Sequence, residues 1–166
     1  MRFHDITKDD MKNGDGLRVV LWLSGCEHKC PECQNPITWD KNYGLVFDDN
    51  AKAELFDALS RDYISGITLS GGDPLFIGNR NEITALLKEI RDKFPDKNVW
   101  CYTGYLFEQV KDIEALKYID VLVDGPYIAA LNDNKLWWKG SENQRVIDVK
   151  KTLQNLSSEP VLWISK

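Results

Sequence analysis

The sequence predicts an α/β fold, a partial and open parallel βα barrel, and three observations predict it. Apolar strand-like runs alternate with helix-like segments along the chain. Such alternation gives parallel strands joined by right-handed crossovers. The run Ile119 to Val123 is nearly all apolar, as a strand covered on both faces is. The 166 residues fall short of the ~250 that a complete eight-stranded barrel takes. An open doubly wound sheet is the alternative.

The elements follow in order. Leu17 to Leu23, rich in Val, Leu and Trp, is the first strand. Asn50 caps a helix that runs to about Ser60, with Leu55, Phe56 and Leu59 on one face. Ile67 to Leu69 is a short second strand. Asn81 to Phe94 places Ile83, Leu86, Leu87, Ile90 and Phe94 at helical spacing. Lys97 to Tyr102 is the third strand, and Leu106 to Leu116 a helix with Leu106, Val110 and Ile113 inward. Ile119 to Val123 is the fourth strand. Arg145 to Val149 reads as a strand, Lys150 to Leu156 as a short helix and Val161 to Ile164 as a last strand. The whole, residues 1–166, is expected to be a single domain, with 149–166 an unassigned C-terminal extension.

Composition narrows the function. A hydrophobic content of 43% with six Trp, six Tyr and six Phe supports a packed core rather than disorder. No apolar run approaches the ~20 residues of a membrane span. Met1 to Met11 is charged and has no apolar signal-peptide region, so the expected location is cytoplasmic. Net charge is −5, from 21 basic and 26 acidic residues that are interspersed, which disfavours binding to nucleic acid.

Each segment with unusual Gly or Cys content follows a strand. Cys26 to Cys33 follows the first, Ser70-Gly71-Gly72-Asp73-Pro74 the second, Thr103-Gly104-Tyr105 the third and Asp124-Gly125-Pro126-Tyr127 the fourth. The carboxyl ends of parallel strands share one edge, where ligands bind. Four distant stretches are therefore expected at one site.

Three of the four cysteines lie within eight residues, in Cys26-Glu27-His28-Lys29-Cys30-Pro31-Glu32-Cys33. In a reducing compartment such clustering indicates metal or catalysis rather than disulfides. Three thiolates on one loop can hold three irons of a [4Fe-4S] cluster. A cluster that only transfers electrons takes four Cys ligands, so one iron here would stay open to another ligand. Two other readings stand beside this one. Cys26, Cys30 and Cys33 with His28 could hold zinc as a Cys3His set. Alternatively, Cys101 could complete the ligands of a plain electron carrier, although its run Val99 to Tyr102 suits a buried, inert thiol.

The C-x3-C-x2-C loop resembles the cluster motif of radical S-adenosylmethionine enzymes. More narrowly, residues 2–148 resemble the glycyl-radical activases of anaerobic ribonucleoside-triphosphate reductases. Asn13-Gly14-Asp15-Gly16-Leu17-Arg18 is similar to their N-G-P-G-x-R entry, with Asp15 in place of Pro. Ser24 through Asn35, followed by Trp39, matches the cluster loop. Leu69-Ser70-Gly71-Gly72-Asp73-Pro74-Leu75 matches the glycine motif. Trp138-Lys139-Gly140-Ser141-Glu142-Asn143-Gln144-Arg145 resembles W-R-G-S-x-N-Q-R, with Lys139 in place of Arg. Glu32 stands where the wider superfamily often has an aromatic.

The resemblance implies a partial barrel of the radical S-adenosylmethionine type, with Cys26, Cys30 and Cys33 as the cluster's ligands and thereby its catalytic centre. The open iron would be chelated by S-adenosylmethionine, whose reductive cleavage gives a 5′-deoxyadenosyl radical. That radical would take a hydrogen from one glycine of the large subunit of anaerobic ribonucleotide reductase, leaving a glycyl radical. Gly71 and Gly72 allow close backbone approach, and Asp73 would accept from the methionine ammonium. Glu32, Cys33 and Gln34 would neighbour the adenine. Thr103 and Asp124 at strand ends, and Asn143 in the late motif, are further cofactor contacts. Ser141, Gln144 and Arg145, after Trp137 and Trp138, would contact cofactor or protein substrate. A low-potential donor such as flavodoxin would supply the electron, and a homodimer is what the family suggests. Another activase or a small-molecule enzyme such as a deazapurine carboxylate synthase is the nearest alternative, and a non-catalytic zinc module the most distant.

Overall fold

The computed structural model describes residues 1–155 and 159–164. Seven strands form one sheet: β1 (Arg2–Asp10), β2 (Arg18–Leu23), β3 (Leu45–Val46), β4 (Gly66–Gly71), β5 (Asn98–Tyr102), β6 (Val121–Asp124) and β7 (Arg145–Asp148). Four helices accompany them: α1 (Asp49–Leu59), α2 (Arg80–Lys93), α3 (Phe107–Val110) and α4 (Val149–Gln154). The strand order is β3-β1-β2-β4-β5-β6-β7. β2, β4, β5 and β6 are mutually parallel, and these are the four strands expected.

The two long helices form where the apolar spacing places them. Asp48 caps α1 by accepting from the Ala51 N–H, two residues before the expected cap. In α2, Ile83, Leu86, Leu87 and Ile90 are buried against the sheet. The helices' buried side chains join Val19, Leu21, Leu23, Ile67, Leu69, Val99, Cys101 and Leu122 in one core. The helices pack on one face only, while Trp100, Val121 and Val123 on the other are buried beneath Trp138 and Trp163. This one-sided arrangement makes a partial barrel and sets aside the doubly wound alternative.

Elsewhere the chain departs from expectation. β1 went unrecognised because only Phe3 and Ile6 are buried along it and its register with β2 shifts twice, so no period-two pattern survives. The helix expected over Leu106 to Leu116 is short α3 followed by a 3-10 turn, Glu114–Tyr118. Ile113 between them is extended, which lets Ala115 and Leu116 reach the core. β7 is antiparallel to β6, not parallel. The connection between them holds one 3-10 turn and no crossover helix, and a chain that simply returns gives an antiparallel neighbour.

The strand expected over Val161 to Ile164 is a single bridge, Ile147 to Leu162. α4 ends at Gln154, and Leu156, its expected last residue, lies outside the described residues. Val149 is buried in the core, and the Trp163 ring packs on Trp100. No described helix is long and apolar enough to cross a membrane.

Arg18, the basic residue of the N-G-D-G-L-R stretch, closes the end of the sheet opposite the strand C-termini. It is fully buried. Its guanidinium donates to the Thr68 hydroxyl at 2.7 Å and the Ile67 and Asp15 carbonyls at 2.7 and 2.9 Å, and lies 5.3 Å from the Trp100 ring centroid. Burial lowers its pKa to about 10.

Candidate functional site

The carboxyl ends of the parallel strands open onto one cavity of about 740 Å³, within the range of small-molecule and cofactor sites. Cys26, Cys30, Cys33, Gly71, Gly72 and Thr103 all line it, so three of the four expected loops converge there, and Gly125 brings the fourth.

β2 leads into the cysteine loop through Ser24 and Gly25. The Gly25 N–H donates to the Thr38 carbonyl at 2.8 Å and the Cys26 N–H to the Trp39 carbonyl at 3.1 Å, so the loop's two ends are tied together. Within it, Lys29 and Glu32 are non-glycine residues in the left-handed region, with φ of 46° and 57°. Each immediately precedes a cysteine. Such backbone costs roughly 1 kcal/mol or more per residue and concentrates at functional sites. The Cys33 sulfur accepts from the Asn35 N–H at 3.4 Å. All three thiols are free and partly exposed. Burial pushes the Cys26 thiol up to about 11.

Among the described residues, no three His, Cys, Asp or Glu side chains converge tightly enough to hold one metal ion. His28, the fourth donor a Cys3His zinc site would need, is turned away to Asp73, 2.7 Å from its carboxylate. A cubane cluster makes neither demand, because each thiolate binds a different iron. The donor set fits an iron–sulfur cluster held by Cys26, Cys30 and Cys33, with no fourth protein thiolate at hand. Cys101 is fully buried on the helix-covered face, and that burial pushes its thiol well above the usual range.

The glycine motif packs against the start of this loop. The Gly72 N–H donates to the Leu23 carbonyl and the Asp73 N–H to the Gly25 carbonyl, at 2.8 and 2.7 Å. Gly71 has φ of 99°, and a Cβ on Gly72 would lie 2.5 Å from the Gly25 oxygen. Both positions need glycine.

Asp73 does not present the free carboxylate expected for an ammonium. It is 1% exposed, and it accepts from the Leu75 N–H, the Thr103 hydroxyl, the Gly104 N–H and His28. Asp124 is placed differently again. Fully buried and outside the cavity lining, it accepts from the Phe107 N–H at 2.7 Å and from Arg145 Nε at 3.0 Å. Arg145 pairs with its carboxylate, and Glu108 extends the pair. Asn143 lies outside the lining and donates to the Pro126 carbonyl at 2.8 Å. Glu32 is exposed and also outside it, while Gln34 lines the cavity.

The late motif works as a clasp. Gln144 accepts from the Gly140 and Ser141 N–H groups and donates to the Gly125 carbonyl at 2.9 Å. Lys139 donates to the Glu142 and Gln144 carbonyls. This brings Trp138 onto the cavity, where Trp22, Trp39, Tyr102 and Tyr127 complete aromatic walls that sequence reading did not assign. Strand alternation carried a signal for two of them. Trp22 and Tyr102 fall one residue out of phase with the core positions Leu21, Leu23 and Cys101.

The 4Fe-4S single cluster domain family matches residues 12–147. An anaerobic ribonucleoside-triphosphate reductase-activating protein of Enterobacteria phage T4 is 47% identical over 146 residues, covering 88% of this chain and 93% of the relative. Those of Salmonella typhi and Escherichia coli (strain K12) are 41% and 39% identical, each covering 88% of this chain and 97% of the relative. With the cysteine loop, glycine motif and clasp assembled around one cavity, this protein belongs to the family of anaerobic ribonucleoside-triphosphate reductase-activating proteins.

Proposed function

We propose that this chain activates an anaerobic ribonucleoside-triphosphate reductase by generating a glycyl radical on the reductase's large subunit. The observation that carries the reading is three free thiols on one loop, at the mouth of an aromatic-walled cavity, with no fourth cysteine on that face. When bound, the reduced [4Fe-4S] cluster and S-adenosylmethionine supply one electron and a hydrogen-abstracting carbon radical.

The chain's own residues bind, orient and shield. Cys26, Cys30 and Cys33 ligate the cluster. Gly71 and Gly72, on the cavity lining, present backbone groups to a methionine group. The backbone at Cys33 and Gln34 flanks the adenine, and Thr103 stands at the same rim. Trp22, Trp39, Tyr102, Tyr127 and Trp138 exclude water from a reactive carbon. Hydrogen abstraction needs no general base, so the work is alignment of two carbons. The substrate carbon arrives on a polypeptide, the partner being the reductase large subunit. A low-potential donor such as flavodoxin, a cytoplasmic location, self-association into a homodimer and the reading of residues 1–166 as a single domain belong to the same proposal.

The test is anaerobic. The chain is reconstituted with iron and sulfide, reduced and given S-adenosylmethionine, and 5′-deoxyadenosine is assayed by chromatography beside Cys30→Ala. Product from the wild type alone, with a glycyl radical signal on added reductase, is expected. Zinc in place of iron, or product without any radical on the reductase, would overturn the reading.

A further inference from the structure

The Asp73 carboxylate is surrounded by donors from the protein itself. Four donor groups are aimed at it, three of them converging on Oδ2, and the Thr103 hydroxyl also lies 3.0 Å from Oδ1. The Leu75 N–H lies 2.8 Å from Oδ1, the Thr103 hydroxyl 2.9 Å from Oδ2, the Gly104 N–H 3.0 Å from Oδ2, and His28 Nε2 2.7 Å from Oδ2. Three come from the connections after β4 and β5, which are fixed by the sheet. Only His28 comes from the cysteine loop, two residues from both Cys26 and Cys30.

The place of the His28 ring is shaped as well as bonded. A Cβ on Gly104 would lie 2.5 Å from His28 Cδ2, so the ring occupies room that a side chain there would take. The Tyr105 ring meets it edge-on with centroids 4.4 Å apart. Beside it, the Tyr105 hydroxyl donates to Glu27, a second tie from the same loop to the same connection.

We infer that His28 is a positioning residue that fastens the cysteine loop to the ends of β4 and β5 through Asp73, and that Asp73 serves this brace rather than a ligand's ammonium. The inference rests on the reading that Cys26, Cys30 and Cys33 carry the cluster. A loop with two left-handed residues and three flexible thiols binds metal better when its backbone is held beforehand. The brace supplies that hold before any iron arrives.

The experiment compares wild type, His28→Ala, His28→Gln and Gly104→Ala. Hydrogen–deuterium exchange of the metal-free chains is read for peptides covering residues 26–35 and for the strands. His28→Ala is expected to speed exchange across 26–35 by about tenfold or more, the weight of one hydrogen bond to a charged group, with β2 and β4 unchanged. Gly104→Ala expels the ring and gives the same pattern. His28→Gln keeps a donor at similar reach and restores slow exchange. After anaerobic loading, iron loss to a chelator follows the same order, and Asp73→Asn groups with His28→Ala. Exchange at 26–35 that stays as in wild type, or that rises equally throughout the sheet, would overturn the brace. So would an Asp73→Asn chain that retains iron and loses only affinity for S-adenosylmethionine. A wild type that takes up no iron refutes the proposed function, while the metal-free exchange still decides the brace.

Discussion

Trp100 and Cys101, adjacent on β5, send their side chains to opposite faces of the sheet. Cys101 joins Leu69 and Val99 in the helix-covered core, and Trp100 meets Trp138 on the opposite face with ring centroids 5.3 Å apart. The cluster loop opens onto the cavity, so Cys101 is on the wrong side of the sheet to ligate. Cys101→Ala is expected to load as much iron per chain as wild type and to lose about 1–2 kcal/mol of stability from the vacated core position. Iron analysis with denaturant unfolding checks both. A colourless Cys101→Ala protein would restore the four-thiolate electron carrier.

How much of this was legible depended on the range of the signal. Local periodicity placed α1 and α2 within one or two residues, because Leu55 and Leu59, or Ile83 through Ile90, must face one core. The site's approximate address was legible too, since four irregular segments each followed a strand. What escaped was pairing across the chain. Nothing local tells that Asp73 takes His28, 45 residues away, or that Asp124 takes Arg145. A strand-end aspartate looks the same in sequence whichever partner satisfies it. β1 escaped for a different reason: its shifted register and exposed outer face blur the alternation that marks a strand.

Arg18 carries its charge into the sheet's closed end with no carboxylate in salt-bridge distance among the described residues. Carbonyls, a hydroxyl and the Trp100 face hold it instead. Arg18→Lys keeps the charge and loses the planar fork, leaving the Thr68, Ile67 and Asn98 acceptors short of donors. We expect a loss of about 2–3 kcal/mol in urea unfolding, with the midpoint moved and the slope unchanged.

Asp120 ties the start of β6 to α2 and α4. Burial raises its pKa, but the Val99 N–H, Lys150 and Arg91 outweigh that and hold the carboxyl below its ordinary range. A depressed folded-state pKa adds stability that is full above the unfolded value, near 3.9, and is lost as pH falls through the folded value. Asp120→Asn is therefore expected to cost about 1.5–3 kcal/mol at pH 7. The gap to wild type should close below about pH 4. Thermal unfolding from pH 7 to pH 3 tests this. A gap that persists unchanged in acid would assign the loss to packing rather than charge.

Gly72 sits where the glycine motif touches the root of the cysteine loop, and its missing side chain matters more to the site than to the fold. A Cβ there would lie 2.5 Å from the Gly25 oxygen and 2.9 Å from the Thr38 oxygen, both backbone atoms that hold the loop's entry and exit. Backbone cannot yield as a side chain can, so Gly72→Ala must push Gly25 and Thr38 apart. Gly78→Ala is the matched control, because its 2.7 Å neighbour is the edge of the Phe76 ring, which can swing aside. The displacement falls one residue before Cys26, at a turn outside the sheet. Gly72→Ala is expected to lose reconstituted iron to a chelator about tenfold faster than wild type, a change of about 1.4 kcal/mol. Its urea midpoint should stay close to that of Gly78→Ala. If Gly72→Ala instead keeps its iron and binds S-adenosylmethionine more weakly, the glycine serves the methionine group's approach and not the loop's seat.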